Sequence, residues 1–480
     1  MRKYLIITFI IITANSVFGQ IPIDSIKAII QKEVTNKRSK SIIAGIIDAN
    51  GRQIISAGVI SDKNPKPPEE NTIYEIGSIT KSFTGLLLAE MSLKKELNYN
   101  DPISKFLPKT IKTPNRNGKE ITLLNLSANR SGLPREPFNL DPKKLDNRFQ
   151  DYTIKKLYDY ISTVELNWDI DSKWQYSNTG FGLLGLILSL VSNKSYESLV
   201  KEIIAKPLDM NSTVISLSPG QKLKLATGYR ENGKPADPTL FTIAMQGTGA
   251  LLSNVNDMLT FGAANAGLIK TNLLPAIELS HSNLGKKDGN DGFVAMGWTI
   301  LNEANQQILW KDGGTLGYRS FLGIDKKKKY AVIILSNTDN SISDIGLHIL
   351  DSNYKVKTYK YPWCLLDTLR TTMQINGAVA TIKLYQELKS SKNPAFIFDE
   401  KQLNYLGSEL GRAKQIKDAI KIFELNGSEY PKSPIVYESL GELYKRNGNK
   451  KLAITYFEKL VEMEPENLHW SYILKKLKSD

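Results

Sequence analysis

Apolar positions along the chain follow two spacings, and the places where the spacing changes mark its organisation. Ile42 to Asp48 and Gln53 to Val59 are apolar runs of strand length separated by Asp48-Ala49-Asn50-Gly51, which predicts a β-hairpin. Before it, Ser25 to Val34 has the spacing of a short amphipathic helix, with Asp24 as its candidate N-cap. After it, Phe83, Leu86, Leu87 and Met91 form one apolar face of a helix predicted over 78–94. A second apolar helix is predicted from Phe181 to Val191. Strand-like runs return at Gln306–Trp310, Arg319–Ile324 and Tyr330–Leu335, the last two joined through Asp325 and a lysine run that reads as a solvated turn.

Beyond Asn353 the pattern is helical and repeats. Gly407 and Gly441, Ala419 and Ala453, Phe423 and Phe457, and Pro431 and Pro465 each recur at a spacing of 34 residues. Small Gly and Ala let paired helices approach, while Phe and Leu fill the seam. This order resembles the tetratricopeptide repeat. Two copies fall short of the three that usually stand alone, so a degenerate helix at Ile375–Lys389 and a tail helix at Leu468–Leu477 are expected to complete the core. Such repeats form a groove for a protein or peptide partner or a brace for the rest of the chain, and both readings stay open.

A chain of 480 residues exceeds what one core organises, so at least two domains are expected. We read 1–19 as a secretory signal peptide: Arg2 and Lys3, then an apolar run from Tyr4 to Thr13, then Val17-Phe18-Gly19. Residues 20–358 are read as one domain, 359–395 as linker and degenerate helix, and 396–480 as helical repeats with a capping helix. The chain is thus expected to be exported, periplasmic or secreted, with no membrane span once the signal is removed. The net charge of +14 is carried mainly by Lys, which lacks the planar fork that reads phosphates and bases; with no supporting motif, nucleic acid is not an expected partner. Cys364 is the only cysteine, which excludes an intramolecular disulfide and reads as a buried small hydrophobe. The three histidines have no ligand spacing, so no metal site is indicated.

Three short stretches carry candidate chemistry. In Tyr74-Glu75-Ile76-Gly77-Ser78-Ile79-Thr80-Lys81, Gly77 ends an extended segment and Ser78 falls in the first turn of a helix, with Lys81 on the same side. The helix dipole favours developing negative charge on the Ser78 oxygen, and an amine one turn away can assist its deprotonation. Trp174-Gln175-Tyr176-Ser177-Asn178 precedes the second helix; in an extended loop Tyr176 and Asn178 face the same way. A phenol titrates too high to serve as a base near neutrality unless nearby ammonium groups stabilise its anion. Lys311-Asp312-Gly313-Gly314 lies at the end of a strand, where Gly313 permits close approach of another backbone.

Together these motifs resemble class C β-lactamases and the related penicillin-binding serine hydrolases, over about residues 22–355. The resemblance implies an α+β fold, an antiparallel sheet of the N-terminal hairpin and three late strands flanked by helices, with an all-helical lobe between. It further implies Ser78 as nucleophile, Lys81 and Tyr176 as its catalytic partners, and Asn178, Lys311 and Gly313 as substrate-binding residues. The backbone N–H groups of Ser78 and Gly314 would form the oxyanion hole. No cofactor is implied. Glu136 falls where class C enzymes usually place a substrate-binding Gln, a departure expected to alter amide recognition. The implied activity is hydrolysis of a small-molecule or peptide acyl substrate through an acyl-enzyme, with β-lactams leading. The alternatives are a D-amino-acid peptidase or carboxylic esterase, and a penicillin-binding sensor that acylates without turnover.

Overall fold

The computed structural model describes residues 21–143, 147–166, 168–285, 292–303, 306–357, 364–392 and 396–479. The signal read at 1–19, the linker Tyr359–Trp363 and the Cys364 side chain lie outside the described part.

Seven strands form the main sheet: β1 (Ser41–Asp48), β2 (Gly51–Gly58), β3 (Phe293–Val294), β4 (Thr299–Glu303), β5 (Gln306–Gly314), β6 (Arg319–Asp325) and β7 (Tyr330–Ser336). Their order is β2-β1-β7-β6-β5-β4-β3, and every pairing is antiparallel. The hairpin turn falls where its residues predict it: Asp48 pairs with Gly51, and Asp48 Oδ1 accepts the Asn50 N–H at 2.7 Å. Two strands, β3 and β4, were not expected. They are short, and β4 gains its partners from β5, with Thr299 opposite Trp310, a pairing that a local apolar run does not announce.

Period-two alternation splits the sheet between two cores. Ile42, Ala44, Phe321, Val332 and Ile334 face α1 (Ile23–Thr35) and α5 (Ser343–Leu350). Ile43, Leu322, Ile324, Ala331 and Ile333 belong to the larger core shared with α2 (Thr80–Leu93), α3 (Asn178–Ser192) and α4 (Val255–Asn265). Helix α1 starts two residues earlier than expected, after Pro22; Asp24 sits inside its first turn and caps nothing by hydrogen bond.

Helix α2 departs more from expectation. Its residues from Thr80 to Ala89 are all buried, so it has no solvent face, and Phe83 stacks on Phe261 with ring centroids 4.1 Å apart. Lys81 is therefore carried into the interior, where an amine must find acceptors.

The C-terminal segment is wholly helical among its described residues. It comprises α6 (Cys364–Ser390), α7 (Glu400–Arg412), α8 (Ile416–Glu429), α9 (Pro434–Arg446), α10 (Lys450–Met463) and α11 (Leu468–Ser479). Helix α6 begins earlier than the degenerate helix expected at Ile375–Lys389 and is kinked at Gly377, whose φ of 77° breaks the helical path. The repeat geometry explains its sequence. A β-carbon at Gly407 would lie 2.7 Å from the Phe423 ring, and one at Gly441 3.1 Å from Phe457, so each glycine admits the aromatic of its partner helix. These helices build a core of their own from Leu365 to Ile473.

Among the described residues, the repeats touch the rest of the chain at two largely polar patches. The first includes Glu231 with Tyr405 and Lys401. The second includes Arg446 on the Pro142 and Lys143 carbonyls and the Phe138 ring against Tyr472. Glu409 accepts from Asn232 and from both Nε and Nη2 of Arg370, with Lys234 paired to the same carboxylate. Asp141 pairs with Lys445 and Lys476, while His469 Nδ1 donates to the Phe138 carbonyl at 2.9 Å. No helix among the described residues is long and apolar enough to cross a membrane.

Candidate active site

Ser78 lies in a single 3₁₀ turn, Gly77–Ile79, that follows a short strand at Ile73–Glu75 and runs straight into α2. The α-helix itself starts at Thr80, two residues later than the periodicity suggests. Gly77 has φ +48°, and a β-carbon there would lie 2.7 Å from the Gly314 nitrogen. The turn therefore presents Ser78 against the end of β5.

Lys81, Tyr176 and Asn178 gather on Ser78. The Tyr176 hydroxyl is 2.6 Å from Ser78 Oγ, and Lys81 Nζ donates to the same oxygen at 3.2 Å. Lys81 also donates to Asn178 Oδ1 at 2.9 Å and to the Thr248 carbonyl at 2.7 Å. Its three protons thus have three acceptors, which is what holds a fully buried amine in place. Asn178 is not in an extended loop beside Tyr176 as expected. It is the first residue of α3, because Ser177 caps that helix by accepting the Gly180 N–H at 2.9 Å. The turn into the helix still leaves both side chains in reach of Lys81.

Three cations surround the Tyr176 ring. Lys81 Nζ lies 4.8 Å from its centroid, Lys311 Nζ 5.0 Å and the Arg135 guanidinium 4.9 Å. Burial raises the phenol, but the charges of Lys81 and Lys311 outweigh it and bring its pKa down to about 8. Burial chiefly lowers Lys81 to about 8; the Tyr176 charge opposes this, and Lys311 and Arg135 add to it. The two groups share one neighbourhood and titrate together.

Strand β5 continues through Lys311, Asp312, Gly313 and Gly314 and is not interrupted by a glycine turn. A β-carbon on Gly313 would meet the Ile76 carbonyl, the Ser320 hydroxyl and the Ser78 nitrogen at 2.1, 2.4 and 3.0 Å. Asp312 Oδ2 accepts from Ser343 Oγ at 3.3 Å, while its Oδ1 lies 3.7 Å from Lys311 Nζ.

Two contributors escaped the sequence reading. Thr248 offers its carbonyl to Lys81 from the small-residue run Gly247-Thr248-Gly249; a β-carbon at Gly247 would lie 2.7 Å from the Phe181 carbonyl, and this glycine spacing was the available signal. Arg135 follows the Ser131-Gly132-Leu133-Pro134 turn, and its own carbonyl accepts the Asn178 N–H at 2.8 Å. No local pattern marks that contact. Glu136, beside it, is tied to Arg148 at 2.7 Å, so its charge is partly compensated. The histidines lie elsewhere: His281 packs against Asn265 and Trp298, and burial pushes it down to about 3. No group of three His, Cys, Asp or Glu side chains among the described residues could hold a metal.

Comparison with known proteins points the same way. The Beta-lactamase family model matches residues 26–348, and the tetratricopeptide repeat model matches 435–467. The D-alanyl-D-alanine-carboxypeptidase/endopeptidase AmpH of Escherichia coli is 28% identical over 305 residues, covering 60% of this chain and 77% of that protein. Among solved structures, a class C beta-lactamase superposes with a TM-score of 0.61 at 19% identity, covering 70% of this chain and 97% of that one. A beta-lactamase/D-alanine carboxypeptidase from Yersinia pestis, complexed with citrate, gives a TM-score of 0.59 at 21% identity over 70% of this chain and all of that one.

Proposed function

The chain is a serine hydrolase of the beta-lactamase family, and we propose that it cleaves carboxylate-bearing amides, β-lactams first among them, through a covalent acyl-enzyme on Ser78. The observation that carries this reading is the 2.6 Å contact between the Tyr176 hydroxyl and Ser78 Oγ, with Lys81 Nζ 3.2 Å from the same oxygen. In this mechanism the Lys81–Tyr176 pair accepts the Ser78 proton as Oγ attacks the carbonyl carbon. Backbone N–H groups of Ser78 and Gly314 hold the oxyanion, and the same pair returns the proton to the leaving amine. Water then attacks the ester and releases the acid. Lys311 and Arg135, at the rim of the phenol, favour a substrate carboxylate, and Asn178 positions the acyl amide.

A peptide ending in D-amino acids is the second reading, favoured by the likeness to AmpH and by the cavity that begins at Arg135. Residues 20–358 would form the hydrolase and 396–480 the repeat module, exported by the leader at 1–19.

Purified protein should be given a chromogenic cephalosporin, a D-Ala-D-Ala peptide and a short-chain p-nitrophenyl ester. Steady cephalosporin turnover that is lost in Ser78→Ala is the expected result. Turnover of the peptide or ester alone would select the second reading or an esterase. A stoichiometric burst followed by silence would make the chain a non-hydrolysing sensor.

A further inference from the structure

The concave side of the repeats does not face open solvent. With residues from Gly132 to Lys143, and with Asn147 and Arg148, it borders a cavity of about 1370 Å³, larger than a drug-sized ligand needs. The cavity adjoins the catalytic centre: Arg135, whose guanidinium lies 4.9 Å from the Tyr176 ring centroid, lines it, and so does Gln175, the residue before that tyrosine. The opposite wall mixes apolar side chains such as Phe423 and Leu443 with the polar Asn404, Ser408 and Arg412 of α7 and Glu438, Ser439 and Glu442 of α9.

The repeat helices already hold main-chain carbonyls there. Arg446 donates to the carbonyls of Pro142 and Lys143, and His469 to that of Phe138. Charges around the cavity are largely matched, with Glu136 on Arg148 and Glu442 on Lys445 and Arg446. Glu165, Asp237 and Glu466 on its lining are exposed; Glu438 is the half-buried carboxylate there that makes no hydrogen bond or ion pair among the described residues. Burial pushes its carboxyl up to about 7; Arg148 counters this, and Glu442, Glu464 and Glu136 add to it. The one nearby cation, Arg148, is already held by Glu136 at 2.7 Å, so this half-buried carboxylate has no ion pair of its own.

We infer that this cavity extends the acyl-substrate site and takes an extended peptide whose side-chain ammonium pairs with Glu438, the scissile end lying at Ser78. The inference rests on the proposal that Ser78 acts on peptide-like amides. It gives the repeats a role in substrate selection: they supply one wall of the site, where the hydrolase fold alone would leave it open.

Binding of fluorescein-labelled peptides to the full-length Ser78→Ala protein tests this without turnover. The peptides end in D-Ala-D-Ala and carry one lysine at successive positions, each with an acetyl-lysine counterpart. At one position the free lysine should bind about tenfold or more tighter than its acetylated form, the value of a charge-assisted hydrogen bond. In Ser78→Ala/Glu438→Gln that preference should fall to within about twofold. No preference at any position, or a preference that survives Glu438→Gln, would overturn the inference. Cephalosporin turnover by the unmodified chain is read separately. Turnover without a Glu438-dependent preference refutes the peptide site alone, and such a preference without turnover of any substrate refutes the hydrolase reading alone.

Discussion

A β-carbon on Gly313 would sit 2.1 Å from the Ile76 carbonyl oxygen, so the strand that carries Lys311 and the turn that carries Ser78 meet backbone to backbone. Gly313→Ala should push β5 away from the nucleophile and spoil the spacing of the two oxyanion donors. The expected loss in kcat/KM is about 100-fold or more, the usual cost of one misplaced donor, with the far-ultraviolet circular dichroism retained. Activity within about threefold of the parent would mean that this contact does not set the site.

Acidity at the centre gives a signed prediction. Lys81, lowered mainly by burial, and Tyr176, lowered by Lys81 and Lys311 against burial, both sit at about 8. Well below that pH both carry their protons and Ser78 has no base, so kcat/KM should rise with pH through about 8. The Lys311 charge lowers both groups, so Lys311→Gln should move this limb to higher pH. A pH–rate profile in which the limb stays put or moves down would refute the assignment.

In the repeats, two equivalent glycines should answer differently to alanine. Alanine gains about 1 kcal/mol of helix propensity at either position. At Gly441 the new methyl would lie 3.1 Å from Phe457, which a small ring shift absorbs, so the net effect should be near zero. At Gly407 the gap to Phe423 is 2.7 Å, and overpacking of about 1–3 kcal/mol should win. Thermal unfolding should rank Gly407→Ala well below Gly441→Ala; equal midpoints would contradict the packing described.

Glu409 joins the two cores, accepting from Arg370, Lys234 and Asn232 with its own side chain 11% exposed. Glu409→Ala leaves Arg370 with Asp367 and the Asn232 carbonyl, removes the partner of Lys234, and should weaken docking by about 1 kcal/mol. Calorimetry is expected to resolve two unfolding transitions where the parent shows one, since each core then melts alone. A single transition, merely shifted, would show that the remaining contacts suffice.

How much of this was legible in the sequence depends on how local each signal is. Ser78 and Lys81 could be paired because one helical turn fixes their separation. The 34-residue period exposed the repeats because the same Gly–Phe contact is made twice. By contrast, β3 and β4 were missed because their partners lie across the sheet. Helix α2 was read as having one apolar face, yet it is buried all round, since the elements that cover it come from distant parts of the chain.

By itself the sequence determined the hairpin and the one-turn spacing of Ser78 and Lys81, each dictated by residues within a few positions of one another, and the helical repeat, which its 34-residue period announces. Only the tertiary structure decided that Thr248 anchors Lys81, that Arg135 joins two lysines around Tyr176, and that the repeats wall a cavity reaching Arg135. The physical reason is that burial and charge act through space: the acidity of Lys81 and Tyr176 is set by neighbours far away along the chain, and no local pattern carries that distance.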